Sequence, residues 1–173
     1  TNREILAAAA TLKRHDVHLI AQNLIGLPVD NPFETDLKTL DLNIEMQPSF
    51  GWSSILYPYP GSPVEKFARA SGHLVGTPAY METNKRSSML KFSSDRERRR
   101  IENLHKLFGV IVRFPILRPY ARFLSGLPLT VFYRFLFYLW YGYCFKIKMT
   151  RIKSYRKELP YFAGLFFRMV FKN

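Results

Sequence analysis

The sequence predicts an α/β fold made of consecutive β/α units of a parallel barrel, followed by a mainly helical tail that is basic and aromatic. Three observations carry this reading. Two strand-like runs each end in Gly and Pro turns, GLP at residues 26–28 and YPYPGSP at residues 57–63. A helix-start signature follows each turn, which is the grammar of βαβ units with short connections. The charge is also uneven: residues 1–94 carry nine basic and nine acidic groups, while residues 95–173 carry 17 basic and four acidic, so the whole net charge of +13 sits in the second half.

The first helix begins at once, because Thr1 and Glu4 have the spacing of a capping box and an alanine-rich stretch follows. It is expected to end near Arg14. Residues 17–25 form a nearly continuous apolar run, interrupted by Gln22 and Asn23, which suits a strand buried on both faces. Asn31 as N-cap, Pro32 at the first helical position and Glu34 open the second helix, with Phe33, Leu37, Leu40 and Ile44 on one face. Residues 50–57 read as the second strand. Ser62, Pro63 and Glu65 then repeat the helix-start pattern, and Gly72 stops that helix.

Residues 76–93 read as an irregular connection. Ser94 and Glu97 form another capping box, ahead of a helix that buries Ile101, Leu104, Phe108 and Ile111 and turns Arg96, Arg99, Arg100 and Lys106 largely elsewhere. Pro115 ends it. The run at 127–145 is dense in Phe, Tyr and Trp, has Arg134 near its middle, and is followed by Lys146, Lys148, Arg151, Lys153, Arg156 and Lys157. A charge in mid-span and many amphipathic rings disfavour a membrane-spanning helix, so the expectation is a helix lying at a membrane interface or packed over the core.

With 173 residues, 47% of them hydrophobic, the chain can build a core, which excludes a disordered or fibrous protein. The single cysteine, Cys144, excludes a disulfide framework, and no base stands at helical spacing to make it a nucleophile. His15, His18, His73 and His105 lack metal-ligand spacing and are expected at surface or boundary positions. No charged and apolar leader opens the sequence, so the cytoplasm is the expected compartment, with peripheral contact to the inner face of the cell membrane through the basic tail.

The segments IGLPVDNPFETDLKTLDLN (residues 25–43) and WSSILYPYPGSPVEKFARASGHL (residues 52–74) resemble the C-terminal end of the radical S-adenosylmethionine enzymes. The likeness is particularly to the cobalamin-binding class that includes the anaerobic magnesium-protoporphyrin cyclase and hopanoid-modifying enzymes. Members commonly read GLPGE where this chain reads GLPVD. The resemblance implies a partial, TIM-like (β/α)6 barrel, with residues 1–75 supplying its last helix, strand 5, helix, strand 6 and closing helix. Residues 94–173 would be the helical basic and aromatic region beyond it.

The same resemblance implies S-adenosylmethionine contacts from Gln22, Asn23, Leu24 and Gly26 on strand 5, and from Ile55, Leu56 and Tyr57 on strand 6. The 4Fe–4S cluster and cobalamin would be held by an N-terminal part of the polypeptide, because the cysteine triad such a cluster needs is missing. This chain alone would then be inactive. Its implied role is to form part of the pocket for radical chemistry on a lipophilic substrate. The competing reading, from a different class, is a non-enzymatic basic protein that binds a membrane surface or nucleic acid. Against nucleic acid, the aromatics cluster in one run and do not interleave with the basic residues as a stacking platform requires.

Overall fold

A computed structural model of the chain describes residues 1–74 and 90–144. Its elements are α1 (Asn2–Arg14), β1 (Ile20–Ile25), α2 (Pro32–Met46), β2 (Phe50–Ile55), α3 (Pro63–Ala70), α4 (Asp95–Arg113), a 3₁₀ segment (Pro115–Tyr120), α5 (Ala121–Gly126) and α6 (Thr130–Tyr143).

The helix starts follow their capping chemistry. Thr1 and Glu4 make the complete capping box of α1, and the hydroxyls of Ser62 and Ser94 accept the N–H groups of Glu65 and Glu97. Pro32 opens α2 as expected, although the Asn31 side chain makes no capping bond. Gln47 ends that helix in the left-handed conformation. Gly72, with φ of +70°, follows α3.

β1 and β2 pair in parallel, Ile20 opposite Phe50 through Ile25 opposite Ile55. The bond from Leu56 N–H to the Ile25 carbonyl, 2.8 Å, carries the pairing one residue further. One core joins the two halves of the sequence: Ile25, Phe33, Leu37, Leu40 and Ile55 pack with Ile101, Leu104, Phe108, Ile111 and Tyr133. Every apolar position expected on the buried face of α4 is there, and α4 is the helix on which α2, β2, α5 and α6 converge.

The expected partial barrel is not present. Among the described residues the sheet has two strands and most of the remainder is helical. A barrel requires further strands on the open edges. Here α6 flanks β2 instead, with the Tyr141 ring 4.6 Å from that of Trp52, and Phe137, Trp140 and Tyr141 share a small void with Phe50, Gly51, Trp52 and Ser53. β1 likewise departs from the strand expected to be buried on both faces. Only the side of Ala21, Asn23 and Ile25 is covered by helices, while Ile20 (41% exposed), Gln22 and Leu24 (55%) remain open.

Two more expectations need correction. Lys106 is buried in α4, and His105 is fully enclosed between Ser53 and Phe137, not at a boundary. Cys144 is buried beside the aromatic residues of α6. No described helix is long and apolar enough to cross a membrane. The basic residues after Phe145 lie outside the described residues.

Candidate functional site

The candidate site is the cleft at the C-terminal end of β1, and Gly26 shapes it. A residue leaving a strand here must turn at once, and Gly26 does so with φ of +68°. A Cβ at this position would also stand 3.2 Å from the Ile101 side chain. The Gly26 N–H has no partner in the strand ladder and donates to both oxygens of the Asp36 carboxylate, at 2.9 and 3.1 Å. Asp36 comes from α2 and is 1% exposed. Burial pushes its pKa up to about 7; the Gly26 N–H opposes the shift and the charge of Glu97 adds to it.

Beyond Gly26 the chain lines a cleft of about 350 Å³ with Leu27, Pro28, Val29 and Asp30. The opposite wall comes from the end of α3 and the start of α4. Leu74 and Leu90 form an isolated antiparallel bridge, and the Lys91 N–H donates to the His73 carbonyl at 2.7 Å, which sets Lys91, Phe92 and Ser93 across from the GLP turn. Glu97 closes this wall by accepting both the backbone N–H (3.1 Å) and the hydroxyl (2.5 Å) of Ser93. The cleft therefore has apolar sides, Leu27, Pro28, Val29 and Phe92, and a polar rim of Asp30, His73 and Lys91. Its volume lies in the range of small-molecule sites.

The seven residues that the resemblance implies as contacts fall in different environments. Gln22 and Leu24 stand on the open face of the sheet. Asn23 points the other way, into the helices, where it exchanges reciprocal hydrogen bonds with Asn43 (3.1 and 2.9 Å) and donates to the Trp52 carbonyl at 2.9 Å. Gly26 turns into the cleft region, and Ile55 is a core residue below it. Leu56 packs in a second cluster with Ala68 and Leu90, and Tyr57 is buried with its ring 5.1 Å from that of Tyr59. The structure thus brings Gly26 and Ile55 together and separates Gln22 from Asn23.

Asp36 and Asn43 do not stand out by residue type, although the sequence carries a signal for both. On α2 the positions 33, 36, 37, 40, 43 and 44 form a single stripe at helical spacing, so both polar residues occupy core positions. A polar side chain at such a position must find a buried partner, and each finds it on β1 or the turn that ends it.

A cluster does not fit the described residues: they contain no group of three His, Cys, Asp or Glu side chains able to hold a metal, and the one cysteine is enclosed. No protein family, no curated protein and no solved structure matches this chain.

Proposed function

We propose that this chain provides part of the S-adenosylmethionine and substrate pocket of a cobalamin-dependent radical S-adenosylmethionine enzyme acting on a lipophilic substrate. The observation that carries the reading is the cleft after β1. The GLPVD turn that carries the resemblance forms one wall of a cavity of nucleoside size. Leu27, Val29 and Phe92 suit the faces of an adenine ring, Asp30 can accept from ribose hydroxyls, and Lys91 can neutralise an amino-acid carboxylate.

Asn23 holds the strand and Gly26 shapes the turn, so neither side needs to touch the ligand. The 4Fe–4S cluster and cobalamin must be held by other residues than these, since one buried cysteine cannot hold such a cluster. When present, that cluster supplies the electron that cleaves S-adenosylmethionine, and the residues of this chain would bind and orient the adenosyl group.

Calorimetric titration with S-adenosylmethionine and with 5′-deoxyadenosine tests the reading on the 173-residue chain. Weak binding of both is expected, with Asp30→Ala lowering both and Lys91→Ala lowering only the methionine-bearing ligand. A folded chain that binds neither sinks the proposal, as does a parent coding region with no CxxxCxxC segment.

A further inference from the structure

We propose that the exposed apolar side chains of the 3₁₀ segment, α5 and α6 form one surface that seats this chain on an anionic bilayer, with its helices in the plane of the interface. In the helical rod formed by the 3₁₀ segment and α5, Ile116, Tyr120 and Phe123 recur at spacings of four and three and are 79%, 59% and 66% exposed. The side of that rod bearing Leu117, Ala121 and Leu124 packs on the core, and at its edge Arg118 pairs with Asp41 and Arg122 with Glu34, both carboxylates belonging to α2. On α6, Phe132, Phe135, Leu139 and Tyr143 recur at spacings of three and four along one exposed stripe, while Tyr133 and Tyr141 turn inward.

The two elements adjoin at both ends. The Tyr133 hydroxyl donates to the Leu124 carbonyl at 2.8 Å, and Phe114 shares an open apolar groove of about 460 Å³ with Leu136, Leu139, Trp140 and Tyr143.

Charge selects the occupant. From Asn103 to Lys157 the sequence has no Asp or Glu and has eleven Lys and Arg, six of them after Phe145. Arg113 stands on the rim of the groove. Arg118 and Arg122 are paired with carboxylates of α2, so Arg113 and the cations of the sequence that follows α6 are left to meet anionic lipid. Bulky rings on exposed helix faces with such a cationic flank are the chemistry of an interfacial anchor. Among the described residues, the 14 of α6 make a helix of about 21 Å, shorter than a hydrocarbon core of about 30 Å. An orientation in the plane of the interface suits a helix of that length with one exposed apolar stripe.

The test is co-flotation of the full chain with phosphatidylcholine vesicles and with mixed phosphatidylcholine and phosphatidylserine vesicles. Strong flotation with the mixed vesicles is expected, weakened by salt, with little on phosphatidylcholine alone. Two variants address separate elements, Ile116→Ser with Phe123→Ser, and Phe132→Ser with Leu139→Ser. Because these side chains are exposed, far-UV circular dichroism should be unchanged, and each pair should lower vesicle affinity at least about tenfold. Flotation by both variants at the level of the unmodified chain overturns the proposal. So does self-association of the unmodified chain that either variant abolishes, since a second copy would then cover the surface. The assay contains neither S-adenosylmethionine nor iron, so its failure leaves the proposed chemistry untouched.

Discussion

Burial fixes the protonation of two side chains, in opposite directions. Asp36 is held at a pKa of about 7 against an ordinary 3.8, so between those two values the folded chain binds a proton that the unfolded chain has lost. Stability therefore falls as pH rises from 3.8 to about 7 and levels off above it, by a few kcal/mol in all. Asp36→Asn can still accept the Gly26 N–H and removes the titration. The expected outcome is a flat urea-denaturation profile over that range and a variant more stable than the parent at pH 8; an unchanged slope would assign the pH dependence to another group. Lys106 is pushed down to about 8 by burial, with the Arg134 charge adding and Glu102 opposing, while its ammonium donates to the Glu102 carbonyl at 2.9 Å. The folded chain loses this proton before the unfolded chain does, so here stability rises with pH from about 8 to 10.5. Lys106→Met keeps the apolar stem and drops the charge. It is expected to raise stability at pH 7 by on the order of 1 kcal/mol, read as a higher denaturation midpoint. Neither residue was legible as buried when charge alone was weighed. Asp36 stands among the apolar positions of its helix stripe, where the pattern gave notice, whereas Lys106 is enclosed by α6, which no local pattern places.

Two glycines set the distance between α4 and β2. Gly51 meets the Val112 side chain, with a virtual Cβ 3.1 Å from its Cγ1, and Gly109 lies closer still, its virtual Cβ 2.9 Å from both the Gly51 carbonyl oxygen and Trp140 Nε1. A methyl group at 109 cannot be absorbed by a flexible side chain, because one of the obstacles is backbone. Gly109→Ala gains helix propensity yet is expected to destabilise by about 1–3 kcal/mol, the cost of overpacking a filled core. Urea denaturation should show a lower midpoint with an unchanged slope; a neutral or stabilised variant would mean that α4 is free to move off the strand. The helices themselves were legible, since the capping serines and the apolar stripe of α4 are local features of the chain. The barrel was not. A run such as residues 17–25 records that a strand can form, but not how many strands lie beside it, and the side of β1 bearing Leu24 and Ile20 is the open one while the polar Asn23 faces the helices. Asn43 satisfies that amide, and this pairing across 20 residues is what the strand's own alternation could not reveal.

The whole molecule hangs on contacts between the neutral first half and the basic second half. Ile25 and Ile55 at the strand ends are covered by Ile101, Leu104 and Phe108 of α4, and a two-stranded parallel sheet without such a cover is at best marginal in water. The exposed ion pairs between Arg118 and Asp41 and between Arg122 and Glu34 also join the halves, but at their exposure they contribute at most about 1 kcal/mol each, so apolar burial decides. Residues 1–74 expressed alone are therefore expected to lack the sheet. The full chain should unfold in one step, because one core joins both halves, and its two tryptophans, Trp52 on β2 and Trp140 on α6, line one small void and report the contact between sheet and helices. Tryptophan emission and far-UV circular dichroism should give coincident urea transitions. Phe108→Ala, which empties a fully enclosed site touching both halves, should shift both transitions together by about 3–5 kcal/mol. A circular dichroism transition that stays in place while the fluorescence transition moves would show that helices and sheet fold as separate units.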